Sequence, residues 1–320
     1  ALMVRLVLVP LDGSDHAEQA LGPASCLARQ VGANLLLLRA AGDTTLPAGP
    51  DYPLARSVEE STAYLKQIRQ RLVAAGLTVH IEVTTHDPGA AIPLTAALRG
   101  ADLIAMCAHG HAGLRPTAGS VAQQVLRSTQ LPVLLASGHD GASAPSAFRS
   151  LLIPLDGTAS AESALRYVGN LTKDWSPVVR LLRVVEPAMP PLIPGFPGYT
   201  PSAVFERAAM ETQYVHMDAR RYVERTAQTH MRGFPCQATA IVGYPAKAIL
   251  DECANSGADL LVMATRERPE DERLSRRSVT AYVLRHARVP VLLLRGAPPE
   301  LRDAKIGMEI KTGTVSPAMC

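Results

Sequence analysis

LVPLDGSDHAEQAL at residues 8–21 and LIPLDGTASAESAL at 152–165 are one segment met twice, gap-free at an offset of 144. Each joins an apolar run to an Asp-Gly turn and then to apolar residues at helical spacing, the signature of strand, tight turn and helix. Working outward, LLRA (37–40) meets LLRV (181–184) at the same offset. GADLIAM (100–106) meets GADLLVM (257–263) at 157, and SVAQQVLRSTQLPVLL (120–135) meets SVTAYVLRHARVPVLL (278–293) at 158. An internal repeat of this length means two copies of one folding unit. The step from 157 to 158 makes the first copy one residue shorter between Met106 and Ser120.

Short apolar runs at 4–10, 34–40, 78–84, 101–107 and 132–136 read as strands, bounded by Gly, Pro or polar residues. Amphipathic stretches at 14–31, 57–75, 89–99 and 119–129 read as the helices between them. Strand and helix in alternation imply right-handed crossovers and a parallel sheet covered on both faces. The second copy repeats the pattern, with strands near 150–155, 178–185, 236–242, 259–264 and 290–295. Its proline-rich 187–201 reads as an exposed loop ahead of a long helix at about 202–231. The expected organisation is a first domain at 1–137, a linker at 138–148, a second domain at 149–296 and a disordered tail at 297–320.

Composition narrows the function classes. A formal charge of +3 from 32 basic and 29 acidic residues, with 4% aromatics, lacks the basic face and stacking platforms of a nucleic-acid binder. No apolar run approaches a membrane span. Residues 1–10 read as a strand entering a turn rather than a cleavable export signal. Five scattered cysteines suit reduced thiols in a cytoplasmic protein.

Ligands of an open parallel sheet bind beyond the carboxyl ends of its strands, where strand order reverses. Two segments fall there: PLDGS with Asp12, and MCAHGHAGLRPTAGSVAQQVL (106–126). Gly110, Gly113 and Gly119 allow close backbone approach, Ser120 opens a helix whose free N–H groups favour an anion, and Arg115 adds a positive charge. Each has a plainer reading. Asp12 could fix its turn, since Asp156 persists in the second copy, and Ser120 could be an ordinary N-cap like Ser278. Nothing in the sequence argues for a base beside Cys107, and His109 and His111 sit two apart without a third metal ligand.

The PLDGS turn, the GADLIAM strand, the HGHAG and GSVAQQVLR segments and the LPVLL strand, in order and twice, resemble the universal stress protein family in its tandem form. The resemblance implies two Rossmann-like, adenine nucleotide alpha hydrolase-like domains. Each is a doubly wound α/β unit with a five-stranded parallel sheet, and the two associate through their last strands. It also implies a stress-associated binding or regulatory role, with ATP or a related adenine nucleotide, and Mg²⁺ with its phosphates, bound by some members. Further homodimerisation is an expectation too. Carried onto this chain, the nucleotide site comprises Asp12, Ala40 at the end of the second strand, and the loop with Cys107, His109, Gly110, Gly119, Ser120 and Val121. Cys107 replaces the motif's first glycine, and the intervening loop, with Pro116, is one residue short. In the second copy Glu267 and Arg277 replace the glycines, so no nucleotide is expected there.

Overall fold

The computed structural model describes residues 4–41, 54–107, 121–137, 145–189, 202–265 and 278–295, without the side chains of 54–56 and 203. The apolar runs of the first half form β1 (Leu6–Pro10), β2 (Asn34–Ala40), β3 (Val79–Thr84), β4 (Leu103–Cys107) and β5 (Val133–Ala136). Those of the second form β6 (Ser150–Pro154), β7 (Val178–Val185), β8 (Cys236–Val242), β9 (Leu260–Thr265) and β10 (Val291–Arg295). Between them run α1 (Asp15–Glu18), α2 (Leu21–Val31), α3 (Leu54–Ala74), α4 (Pro88–Arg99), α5 (Val121–Ser128), α6 (Ala159–Leu171), α7 (Ser202–His230), α8 (Pro245–Ser256) and α9 (Val279–His286).

All ten strands belong to one sheet, ordered β3-β2-β1-β4-β5-β10-β9-β6-β7-β8. Pairing is parallel within each half and antiparallel at the junction, where Val291, Leu292 and Leu293 face Leu135, Leu134 and Val133. The last strand of each half therefore presents no open edge; each covers the other, which removes two sites of unwanted pairing.

Side chains alternate across this sheet. Val7, Val9, Leu35, Leu37 and Leu103 point to one face, where they join Ile153, Leu181, Val262 and Leu292 in a core common to both halves. Leu8, Leu36, Leu38, Ile104 and Met106 build a separate core on the other face. The second half has its own there, and Leu126 and Leu284 pack against both.

Phe148 enters the common core from the chain between the halves. Its N–H donates to Gln30 Oε1 at 2.8 Å, and its carbonyl accepts from Gln30 Nε2 at 3.1 Å. One glutamine of α2 thus satisfies both backbone polar groups of a fully buried residue. Most of the expected linker, 138–144, and the tail lie outside the described residues.

The expected single helix at 14–31 is two. Pro23 has no N–H for the carbonyl of Gln19 and its ring would crowd that oxygen. The chain therefore steps between α1 and α2 at Gln19 and Ala20, and Pro23 falls in the first turn of α2, where it is tolerated. The second half carries Tyr167 at that position, and α6 runs unbroken.

The GAD segments explain themselves as well. Asp102 Oδ2 accepts the N–H groups of Arg5 and Leu6 at 2.8 and 3.1 Å. In the second half Asp259 uses both of its oxygens, Oδ2 accepting from Arg149 at 2.7 Å and Oδ1 from Ser150 at 3.0 Å. Burial holds the Asp259 carboxyl above its ordinary value, against the lowering effect of these two bonds. A raised folded-state value favours folding below the unfolded-state value, and that contribution is lost as pH rises through the raised one.

An amide keeps one acceptor oxygen, so the two aspartates should respond differently. Asp102→Asn is expected to cost under about 0.5 kcal/mol, whereas Asp259→Asn strands one strand N–H and costs about 1–2 kcal/mol. Urea midpoints at neutral pH measure both, and equal shifts would contradict the single-oxygen account.

Candidate functional site

The carboxyl ends of β2, β1 and β4 lie side by side, and strand order reverses between β1 and β4. That end carries Ala40 and Cys107 as the last residues of their strands and Asp12 just past the third. Val121 opens α5, whose Val125 belongs to the core on the Leu8 face. His109, Gly110, Gly119 and Ser120 lie outside the described residues, as do Glu267 and Arg277 of the second half.

Asp12 is exposed and fixes its own turn. Its Oδ1 accepts from the N–H and hydroxyl of Ser14, at 2.9 and 2.6 Å, across Gly13, whose φ of +89° suits glycine. Ser14 Oγ then accepts from Ala17 N–H and caps α1. Asp156 and Thr158 repeat this at 3.0 and 2.5 Å, with Gly157 at +80°. The turn role is thus present in both halves. The second carboxylate oxygen of Asp12 has no hydrogen bond from the described residues. Ser278 shows the other plain role, since its hydroxyl accepts from Ala281 N–H at the start of α9.

Cys107 is buried, and its Sγ lies 3.9 Å from Oε1 of Gln19, which caps the carboxyl end of α1. Its parity along β4 is that of Leu103 and Ala105, whose face is opposite to that of α5. The thiol therefore packs under α1, on the other side of the sheet from α5. Elsewhere, burial pushes the Cys26 and Cys253 thiols up to about 11, which suits inert core cysteines. The described cysteines form no disulfide.

Several side chains here were not singled out from the sequence. The Arg39 guanidinium packs against Gly13, within 3.2 Å of where a Cβ would stand, and lies 4.8 Å from the centre of the Tyr64 ring. Tyr64 donates to Glu18 at 3.1 Å, and Arg71 pairs with the other oxygen of Glu18 at 2.8 Å. Burial, reinforced by Glu18, raises the Tyr64 hydroxyl well above its ordinary value. The second half keeps the brace: Arg183 donates to Leu155 O, Tyr222 donates to Glu162, and burial with that carboxylate holds Tyr222 up to about 12. The recurrence of Glu, Arg and Tyr in both copies was the available signal. Another is His16 on α1, whose Nδ1 is buried without a hydrogen-bond partner among the described residues. Its counterpart, Ser160, donates to the carbonyl of Thr265 at the end of β9.

A larger hollow lies away from this strand end. A groove of about 500 Å³ runs between Pro187, Phe205 and Val242, against the first turns of α7. Two of its polar side chains serve the fold: Thr212 Oγ1 bonds Ala208 O and Ala188 N–H, and His216 Nε2 lies 2.9 Å from Ala240 O.

Comparison with known proteins agrees with this architecture. A universal stress protein of Methanocaldococcus jannaschii is 29% identical over 139 residues, 42% of this chain and 82% of that one. The crystal structure of a universal stress protein from Archaeoglobus fulgidus superposes with a TM-score of 0.67 at 20% identity, covering 91% of this chain and 98% of the other. A functionally unknown protein from Pseudomonas aeruginosa gives 0.61 at 14%, covering 92% and 93%. Residues 3–137 and 147–295 each match the universal stress protein family, so the chain belongs to that family as a tandem of two of its domains.

Proposed function

We propose that the first half binds ATP or a related adenine nucleotide, with Mg²⁺ accompanying the phosphates, and that the second half does not. The protein then serves as a cytoplasmic, stress-associated binding or regulatory protein. The carrying observation is asymmetric: Gly110 and Gly119 of the first loop stand where the second has Glu267 and Arg277, although the turns at Asp12 and Asp156 match bond for bond. Bare backbone can crowd a polyphosphate; acids and bulky side chains in the same register oppose one.

The described residues fit such a ligand at its edges. Asp12 is exposed with one carboxylate oxygen to spare, Ala40 is small and half-buried at the neighbouring strand end, and Cys107 is turned under α1. His16 Nδ1 on α1 is a buried polar atom without a hydrogen-bond partner among the described residues. Against this stand the short loop and Pro116, which favour a scaffold that works without nucleotide.

Calorimetric titration with Mg-ATP and with AMP decides. Gly110→Glu, reproducing Glu267, is expected to weaken binding by at least about a hundredfold, since a carboxylate beside the phosphates opposes them by several kcal/mol. No binding to the unaltered protein at millimolar ligand selects the scaffold. Phosphate release well above background, abolished by the same change, points to a hydrolase.

A further inference from the structure

We infer that the second half positions the first half's loop helix: Arg295 of β10 clamps the carboxyl end of α5. One terminal nitrogen of its guanidinium lies 2.7, 2.9 and 2.7 Å from the carbonyls of Leu126, Arg127 and Thr129. The last carbonyls of a helix have no partner within it, and they form the negative end of its dipole. A guanidinium cannot give up its charge, so one that is only 9% exposed belongs where it is paired.

The clamp works in one direction. Position 137 is the counterpart of Arg295 in the first half, and there a serine reaches a single carbonyl, that of Arg288, at 3.2 Å. At α9 the basic side chains of the last turn, Arg285 and His286, reach only Ala281 O and Tyr282 O, short of the helix's final four carbonyls. Outside support matters here because α5, like α9, has eight residues and a single buried one, Val125 in α5 and Val283 in α9, well short of the roughly 12–15 residues at which an isolated helix becomes marginal. Its first residue follows directly on Gly119 and Ser120, so whatever holds its far end also fixes the direction of its leading N–H groups. The degenerate half thereby becomes a structural part of the first half's site. This deepens the nucleotide reading and rests on it for its functional consequence, though not for the clamp itself.

The full chain, R295S (which copies Ser137) and R295K are compared by amide hydrogen exchange and by titration with Mg-ATP. In R295S the α5 amides should exchange at least about tenfold faster while those of α9 stay unchanged, as expected from losing a charged hydrogen-bond cap. The Kd for Mg-ATP should rise about tenfold, because the leading N–H groups are no longer held in place. R295K should fall between the two, and it carries the same comparison if R295S does not fold. Unchanged α5 protection, or loosening of α5 and α9 together, overturns the clamp. Loosened α5 with unaltered nucleotide affinity overturns the positioning role. If the unaltered protein binds no nucleotide while α5 still loosens in the variant, the clamp stands and the nucleotide reading falls.

Discussion

Phe148→Ala is expected to lower the unfolding free energy by about 3–5 kcal/mol, the range for emptying a buried aromatic site. Set against a net stability of about 5–15 kcal/mol, that is a large share of the whole. Phe148 is 0% exposed and sits in the core that runs unbroken through both halves, so its loss opens a cavity beneath each at once. The cavity has little scope to close, because Gln30 holds the Phe148 backbone by both its N–H and its carbonyl. The side chain can be deleted, but the chain that bore it stays where it was. Urea denaturation followed by circular dichroism measures the change. A loss below about 1.5 kcal/mol would show that the two halves do not depend on this residue.

The strands were legible because β1, β2, β4 and their counterparts are unbroken runs of Leu, Val and Ile, and such runs have one good home, the middle of a sheet covered on both faces. The repeat made the second set nearly free. The break at Gln19 was legible in principle, since Pro23 forbids a continuous helix, but the strong apolar spacing of Ala17, Ala20, Leu21 and Ala24 masked it. The turn at Asp12 shows the opposite problem: its residue types are equally right for a ligand and for an Asx turn, and only the fold reveals that the turn is made in both halves. Other features rest on contacts between residues far apart in the chain, to which local patterning is blind. Gln30 meets Phe148, and Arg295 meets the end of α5, across 118 and 166 or more positions respectively. Arg295 did leave a trace, a charged residue closing VLLLR where the first copy closes VLLAS. The groove beside α7 had none, because it forms where the first turns of that long helix lie beside Pro187 and Val242.

Leu292→Asp is expected to cost more than about 5 kcal/mol, the largest effect predicted for any single change. Leu292 faces Leu134 across the antiparallel junction, and the two are 0% and 1% exposed. Truncating a buried leucine costs about 2–5 kcal/mol, and a carboxylate placed there adds several more unless it takes up a proton. Strand membership alone does not set this cost. Val242 also belongs to a strand, but to β8 at the edge of the sheet, where it is exposed; Val242→Asp should fall within about 0.5 kcal/mol of the unaltered protein. The difference between these two measurements isolates what the junction contributes. Among the described residues three strand pairs align there, and they lie at the centre of ten strands and over the shared core, so disturbing them exposes apolar surface on both halves together. Leu292→Asp should therefore leave no folded protein at neutral pH in mild urea, and partial recovery near pH 4 should mark protonation of the new carboxyl. A loss of only about 1–2 kcal/mol, far below that of a buried core position, would mean that β5 and β10 do not hold the halves together.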